Sequence, residues 1–247
     1  MIVLDIAGLH IGVRNRFSHI AEQSREYITD APADFTVEVT AEDLQSEREM
    51  ARASFSDGYL EFIAAYRKIA ERLSEFDAFV FHGAVLKAAD KAYAFTARSG
   101  VGKTTHTRLW VEEFSDVSYL NGDKPIIRFI DGVAYACGTP WRGKENLGIC
   151  ARARLSGIAF LARGEENSAQ PIENGEAVER LLTQVYLPKS PSAILRTMEL
   201  CDRLLSEVAL IELRCNMDPS AAHVCRKAFL DADRLNTKEK PQEEQVQ

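Results

Sequence analysis

The stretch "ARSGVGKTTHTRLW" (97–110) decides how this chain is read, because it completes most of a strand–loop–helix pattern that holds phosphate. In that pattern backbone N–H groups, turned inward by glycines and backed by a helix N-terminus, meet anionic oxygens. Gly100, Gly102, Lys103 and Thr104 stand at the required places. Lysine adds a point charge at the β and γ phosphates, and the threonine hydroxyl helps to hold Mg²⁺. Ala97 occupies the position of the pattern's first glycine; alanine can make that turn if its φ is negative. The candidate nucleotide contacts are therefore Ala97, Arg98, Ser99, Gly100, Val101, Gly102, Lys103, Thr104 and Thr105, with Thr104 a candidate metal ligand. The alternative is a tight strand-to-helix turn that contains a lysine.

The surroundings supply the context the motif needs. "AYAFTA" (92–97) reads as the strand before the loop and "TTHTRLWVEEF" (104–114) as the helix after it. Upstream, "AFVFHGAVLKA" (78–88) is a β-rich run joined by the turn "AADK" (88–91), which puts His82 inside an apolar strand. Downstream, "VSYLNGD" (117–123) reads as a strand, and Asp131-Gly132 between two alternating runs is a hairpin signal. A buried strand at 155–164, helices at 175–186 and 190–208, a strand at 209–216 and a helix at 218–235 complete an α/β pattern. Ser190-Pro191 has the form of an N-cap followed by proline at the first helical position.

Ahead of this unit, "IVLDIAGLHIGVRNR" (2–16) alternates around Gly8 like a hairpin, and "FTVEVT" (35–40) reads as another strand. Two helical stretches, 41–55 and 58–76, follow. The expected organisation is an N-terminal β/α segment (1–76) packed on the core, a nucleotide-binding domain (77–234) and a disordered polar tail (235–247).

Three further features carry candidate chemistry. Asp123 ends a strand about 20 residues past the loop, where phosphate-transfer enzymes keep a carboxylate for Mg²⁺ or for the acceptor hydroxyl; Asn-Gly-Asp is also ordinary turn chemistry. His82 is either a functional group or a hydrogen-bonded structural histidine. "GTPWRGKEN" (138–146) is either a solvated loop or one that brings Arg142 and Lys144 to a transferred phosphoryl group.

Composition bounds the rest. In 247 residues, 46% of them hydrophobic, there is ample material for a core. The 37 acidic and 30 basic residues give a net charge of -7 without any basic block, which argues against a nucleic-acid partner. Five cysteines without a CxxC pair read as reduced thiols rather than disulfides or a zinc site. No apolar run reaches the roughly 20 residues that span a bilayer, and the N-terminus lacks a secretory pattern. The expectation is a cytoplasmic chain with no membrane contact.

Taken together, "FHGAVL" (81–86), "AFTARSGVGKTTHTRLW" (94–110) and "YLNGDKP" (119–125), in that order and spacing, resemble the catalytic domain of the HPr kinase/phosphorylase family and its relatives with a phosphoenolpyruvate-carboxykinase-like fold. "NGDKPIIR" (121–128) followed by "DGVAYACGTPWRGK" (131–144) is similar to a group of small bacterial HPr kinase-like proteins. The resemblance is tightest over 77–165 and implies a mixed sheet carrying the phosphate loop. It further implies ATP and Mg²⁺ at 97–104, His82 beside the phosphates, and Asp123 as metal ligand or general base.

Two departures stand out. The family usually has two consecutive acids where this chain has Gly122-Asp123, and its later glycine-rich signature is not readable in "WRGKENLGICARARL" (141–155). The expected function is an ATP-dependent kinase acting on a hydroxyl, on a serine of a small protein or peptide or on a metabolite. Lys103, Arg142 and Lys144 would supply positive charge, and the reverse reaction, phosphorolysis, is not part of the expectation. The rival is a nucleotide-binding regulatory module without transfer. Family enzymes are often oligomeric, but no stretch of this sequence marks the surface that assembly would use.

Overall fold

A computed structural model describes residues 1–51, 53–98 and 100–239. The chain opens with a hairpin of β1 (Ile2–Ile6) and β2 (Leu9–Arg14), turned at Ala7 and Gly8 with positive φ at both. That conformation matches the right-handed twist of paired strands. A short helix α1 (His19–Gln23) and a 3-10 turn (Arg25–Tyr27) carry the chain to β3 (Phe35–Glu38), which adds parallel to β2. Phe35 and Val37 are buried while Thr36 and Glu38 are exposed, the period of two expected of a half-buried strand.

Helix α2 (Ala41–Met50) starts at a capping box: the Thr40 hydroxyl accepts from the Asp43 N–H at 3.2 Å and Asp43 Oδ2 accepts from the Thr40 N–H at 2.6 Å. Helix α3 (Asp57–Arg72), capped by Ser56, buries Leu60, Ala64 and Ile69 at helical spacing. It tightens into a 3-10 turn at Leu73–Phe76 instead of continuing as α-helix to 76.

The second sheet has nine strands: β4 (Ala78–Val80), β5 (Ala84–Ala88), β6 (Lys91–Thr96), β7 (Val117–Asn121), β8 (Ile126–Ile130), β9 (Val133–Cys137), β10 (Arg152–Arg163), β11 (Ser168–Pro171) and β12 (Ala209–Cys215). Helices α4 (Lys103–Glu113), α5 (Asn174–Leu182), α6 (Pro191–Glu207) and α7 (Ser220–Glu239) flank it. β10 organises the sheet. It pairs in parallel with β6 along 154–160, antiparallel with β9 at 152–154 and in parallel with β12 at 157–163. A strand has two edges, so β9 and β12 occupy one edge end to end and β6 the other. From β9 the sheet runs on through β8 to β4, and from β6 through β5 to β7. The sheet is mixed.

Alternation along β10 sets the layers. Ile158 and Phe160 join the cluster containing Leu181 of α5 and Leu204 of α6, whereas Ala159 and Leu161 join the one containing Trp110 of α4 and Phe229 of α7. Helices therefore cover both faces. A third cluster joins the N-terminal sheet and α3 to Ala78, Val80, Ile126, Cys137 and Trp141.

Three expectations change. The run 78–88 is not one strand: it breaks between β4 and β5, so His82 lies in the break rather than inside a strand. β11 was not anticipated, since "SAQP" has neither the length nor the β-branched content that announces a strand. The last helix continues to Glu239, so 235–239 are helical despite their polar composition, and 240–247 lie outside the described residues.

Candidate functional site

The loop between β6 and α4 carries two glycines with positive φ. Gly100 and Gly102 have φ of 79° and 117°, and a Cβ at either would meet nothing within 4 Å. Their backbone faces open space beside the first turn of α4, whose leading N–H groups have no intrahelical acceptors. Ala97 is not among the residues with positive φ, and it packs with Val101 against the core around Trp110 and Phe95. Its methyl is thus a packing element. The Arg163 guanidinium, at the end of β10, donates to the Gly100 carbonyl at 2.6 Å and ties the loop to the sheet. Ser99 lies outside the described residues.

Lys103 and Thr104, the first residues of α4, open onto a cleft of about 1070 Å³. His82, Asp123, Arg142 and Lys144 line the same cleft, so six residues separated by up to 62 positions converge there. Ala97, Arg98, Gly100, Val101, Gly102 and Thr105 are not among its lining residues. The cleft runs from the helix end of the loop, away from the glycines.

Asp123 is positioned by the preceding turn. Asn121, fully buried, accepts from the backbone N–H groups of Asp123 and Lys124 at 2.9 and 2.8 Å, and its amide donates to the carbonyl and hydroxyl of Thr139. The Thr139 hydroxyl in turn donates to the Lys124 carbonyl at 2.7 Å. The Asn-Gly-Asp sequence is therefore both turn chemistry and the support of the carboxylate. The break after β4 aligns its partner: the His82 N–H donates to the Gln184 carbonyl at 2.6 Å and the Gly83 N–H to the Asp123 carbonyl at 3.1 Å. His82 Nε2 then lies 3.3 Å from Asp123 Oδ1, and Lys124 Nζ lies 3.9 Å from the same oxygen.

Burial pushes the Asp123 carboxyl up, but the His82 hydrogen bond and the charges of Lys124, His82 and Lys103 outweigh it and hold the group below the ordinary aspartate range. Asp123 is a carboxylate at neutral pH. Burial lowers Lys103, and the field of Asp123 restores part of the loss. Lys124 is likewise lowered, by burial first, with Asp123 opposing and Lys103 and Arg67 adding to the shift.

The loop 138–146 closes on this group. A Cβ at Gly143, which has φ +73°, would stand 2.9 Å from the Asp123 Cβ, so only glycine lets the backbone approach this closely. At Gly122 a Cβ would stand 3.3 Å from the Leu147 carbonyl oxygen and 3.4 Å from that of Arg142. Gly122 is thus roofed by backbone acceptors.

The two loop cations have different environments. Arg142 turns away toward the 3-10 turn at 25–27: its guanidinium pairs with Glu26 and lies over the Tyr27 ring, and its side chain is only 12% exposed. Its charge is already countered. Lys144 lines the cleft without a protein partner among the described residues.

Two contributors escaped sequence reasoning. Lys124 sits next to Asp123 in the sequence and could have been marked as a second cation. The wall formed by α3 and its approach, with Phe55, Tyr59, Ile63, Tyr66 and Arg67, left no local signal of a site. With Arg142 paired to Glu26, Arg67 to Glu47 and Glu145 to Arg108, the lining leaves Lys103, Lys124 and Lys144 against Asp123, a cationic cleft in a chain of net charge -7. Such a cleft attracts an anion. Among the described residues no group of three or more His, Cys, Asp or Glu could hold a metal ion by itself. Mg²⁺ keeps several waters and binds through one or two carboxylates plus phosphates, so a hydroxyl such as that of Thr104 and a single carboxylate such as Asp123 would fit it only alongside phosphate oxygens. All five cysteines are free thiols, and no described helix is long and apolar enough to cross a membrane.

No family model matches the sequence, and no curated protein matches it. Among solved structures, the HPr(Ser) kinase/phosphatase from Coxiella burnetii is similar over 67% of this chain and 99% of that chain, at 8% identity and a TM-score of 0.42. At that level the chemistry has to be argued from the cleft itself.

Proposed function

We propose that the chain is an ATP-dependent kinase that transfers the γ-phosphoryl group to a hydroxyl acceptor. The observation that carries the reading is the meeting of an ionised, His82-paired Asp123 with Lys103 and Thr104 at the helix end of a glycine loop, in one cationic cleft. Phosphoryl transfer needs positioning and charge stabilisation more than covalent chemistry, and those are what this set of groups offers.

The roles follow from the surroundings. The loop 97–102 and Lys103 hold the phosphates, with Lys144 adding charge at the reacting end. Thr104 would hold the Mg²⁺ that accompanies the nucleotide, an ion that would supply positive charge at the phosphate oxygens. Asp123 Oδ1 is taken by His82 and Lys124, which leaves Oδ2 to orient the acceptor hydroxyl and receive its proton. Arg142, paired with Glu26, acts as a tether of the loop and not as a charge on the phosphoryl group. The acceptor is a metabolite or the serine of a small protein or peptide.

A nucleotide-binding regulatory module is the second reading, favoured by one observation. Among the described residues that line the cleft the acids are Asp123 and Glu145, and Glu145 is held by Arg108 at 2.8 Å, so no second carboxylate is free to share the work of Asp123. Incubation with γ-labelled ATP, Mg²⁺ and cell extract, followed by mass spectrometry, separates the two: a discrete labelled species supports the kinase, and binding without any labelled product supports the module. Lys103→Ala is expected to abolish both nucleotide-dependent thermal stabilisation and transfer. If both persist unchanged, nucleotide is held elsewhere.

A further inference from the structure

The cleft has an aromatic wall that phosphate chemistry does not use. Phe55 and Tyr59 stack with ring centroids 4.7 Å apart and an interplanar angle of 27°, yet remain 45% and 36% exposed. From Tyr59 the ring contacts continue through His19 at 6.1 Å, Phe62 at 5.7 Å, Trp141 at 5.4 Å and Tyr66 at 5.4 Å. Aromatic faces left open inside a concave site are the usual means of holding an apolar ligand group.

The wall ends at the reacting carboxylate. Burial and then the negative field of Asp123 push the Tyr66 phenol up, which keeps it protonated, and its O–H meets no protein acceptor among the described residues. Tyr59, Ile63 and Tyr66 fall on one stripe of α3 at spacings of four and three, all lining the cleft. Seven residues of helix span about 10 Å. The loop glycines do not line the cleft while Lys103 and Thr104 do, so a nucleotide held by the loop would present its terminal phosphate to the cleft. Its volume of about 1070 Å³ exceeds what one drug-sized ligand fills.

We infer that residues 55–66 form the acceptor subsite, and that the acceptor is an alcohol with an aromatic or branched apolar group within about 10 Å of its hydroxyl, that group lying on Tyr59 and Ile63. The inference rests on the kinase reading for the fate of the hydroxyl. Its oxygen forms a bond to the γ-phosphorus of ATP, the bond from that phosphorus to the β–γ bridging oxygen breaks, and the hydroxyl proton passes to Asp123. The products are a phosphate monoester and ADP. Tyr66 is a positioning group, its O–H directed at the acceptor or phosphoryl oxygen.

The test uses the full chain and two primary alcohols, N-acetylphenylalaninol and N-acetylalaninol, which differ by one phenyl ring. Calorimetry without nucleotide should give at least about tenfold tighter binding of the phenyl compound. The double variant Tyr59→Ala/Ile63→Ala should erase that preference while ATP affinity is retained, and Tyr59→Phe, which keeps the ring, should preserve it. Equal binding of the two alcohols overturns the inference. So does a double variant that weakens ATP instead, since the wall would then hold the base. Preferred binding of the phenyl compound by a chain that labels nothing in cell extract upholds the apolar subsite and removes the kinase reading; transfer at equal efficiency to both alcohols upholds the kinase reading and overturns the subsite.

Discussion

At the scale of the residue, Asp123 and its neighbour Gly122 decide what the cleft can do. Asp123 sits below its ordinary value despite burial, through His82, Lys124 and Lys103. Its folded state therefore binds fewer protons than the unfolded chain, so its contribution to stability is complete above the usual aspartate value of about 3.9 and is lost as pH falls through the lower folded value. Asp123→Asn should leave the nucleotide-induced thermal shift in place and lower transfer by about 100-fold or more, the scale of a lost general base. Transfer at the native rate would remove the proton-accepting role. Gly122→Asp supplies the second acid that the resemblance leads one to expect, but its carboxylate would enter beneath the carbonyls of Leu147 and Arg142. An acid facing acceptors with no donor costs about 1–3 kcal/mol, or roughly 2–10 °C in Tm for a chain of this size. Differential scanning calorimetry should show that loss. A Tm equal to that of the parent chain would mean the loop yields easily and that the glycine has another cause.

At the scale of the element, what the sequence made legible was whatever is written locally. The loop, its flanking β6 and α4, the Asp131-Gly132 hairpin and the Ser190 cap each depend on residues a few positions apart. His82 was misplaced in a strand because its break is made by Gln184 and Asp123, far away in the chain. Arg142 read as a free cation because nothing near it in sequence announces Glu26. The aromatic stripe of α3 left no mark of its own, since the same helical spacing serves a buried face and a cleft wall. Helix α4 hides a further feature of this kind. His106, nearly fully buried, accepts a hydrogen bond from the Trp110 indole at 3.0 Å through Nε2, and its Nδ1 has no partner. Burial pushes its imidazole down to about 4, so the folded state keeps it neutral while the unfolded chain protonates near 6.5. Stability gained from this site is full above about pH 6.5 and falls by up to about 3 kcal/mol as pH drops to about 4. Urea denaturation across that range should show the slope. In His106→Gln the slope should flatten whatever its absolute stability, and an unchanged slope would assign it to other groups.

At the scale of the whole molecule, the first 76 residues and the sheet share one interior. Leu4, Ile11, Leu60 and Ile69 belong to the same cluster as Ala78, Val80, Ile126, Cys137 and Trp141. The Trp141 indole donates to the Phe62 carbonyl at 3.0 Å, and Arg142 reaches Glu26 and the Tyr27 hydroxyl, so the loop that covers Asp123 is anchored on residues from the N-terminal part. A chain beginning at residue 77 would expose the apolar side chains of β4, β8 and β9 that this cluster buries, together with the Trp141 ring. Each large apolar side chain returned to water costs about 1.5–3 kcal/mol, against a total stability of about 5–15 kcal/mol for a typical domain. The shortened chain should therefore show no cooperative thermal transition and should bind the dye ANS, and adding residues 1–76 as a separate polypeptide should restore the transition only in so far as the two associate. A sharp calorimetric transition in the shortened chain alone would show that the sheet and its helices are self-sufficient. In that case the aromatic wall would be an attachment to a site already complete, and the tethering of Arg142 would carry no weight in holding the loop over Asp123.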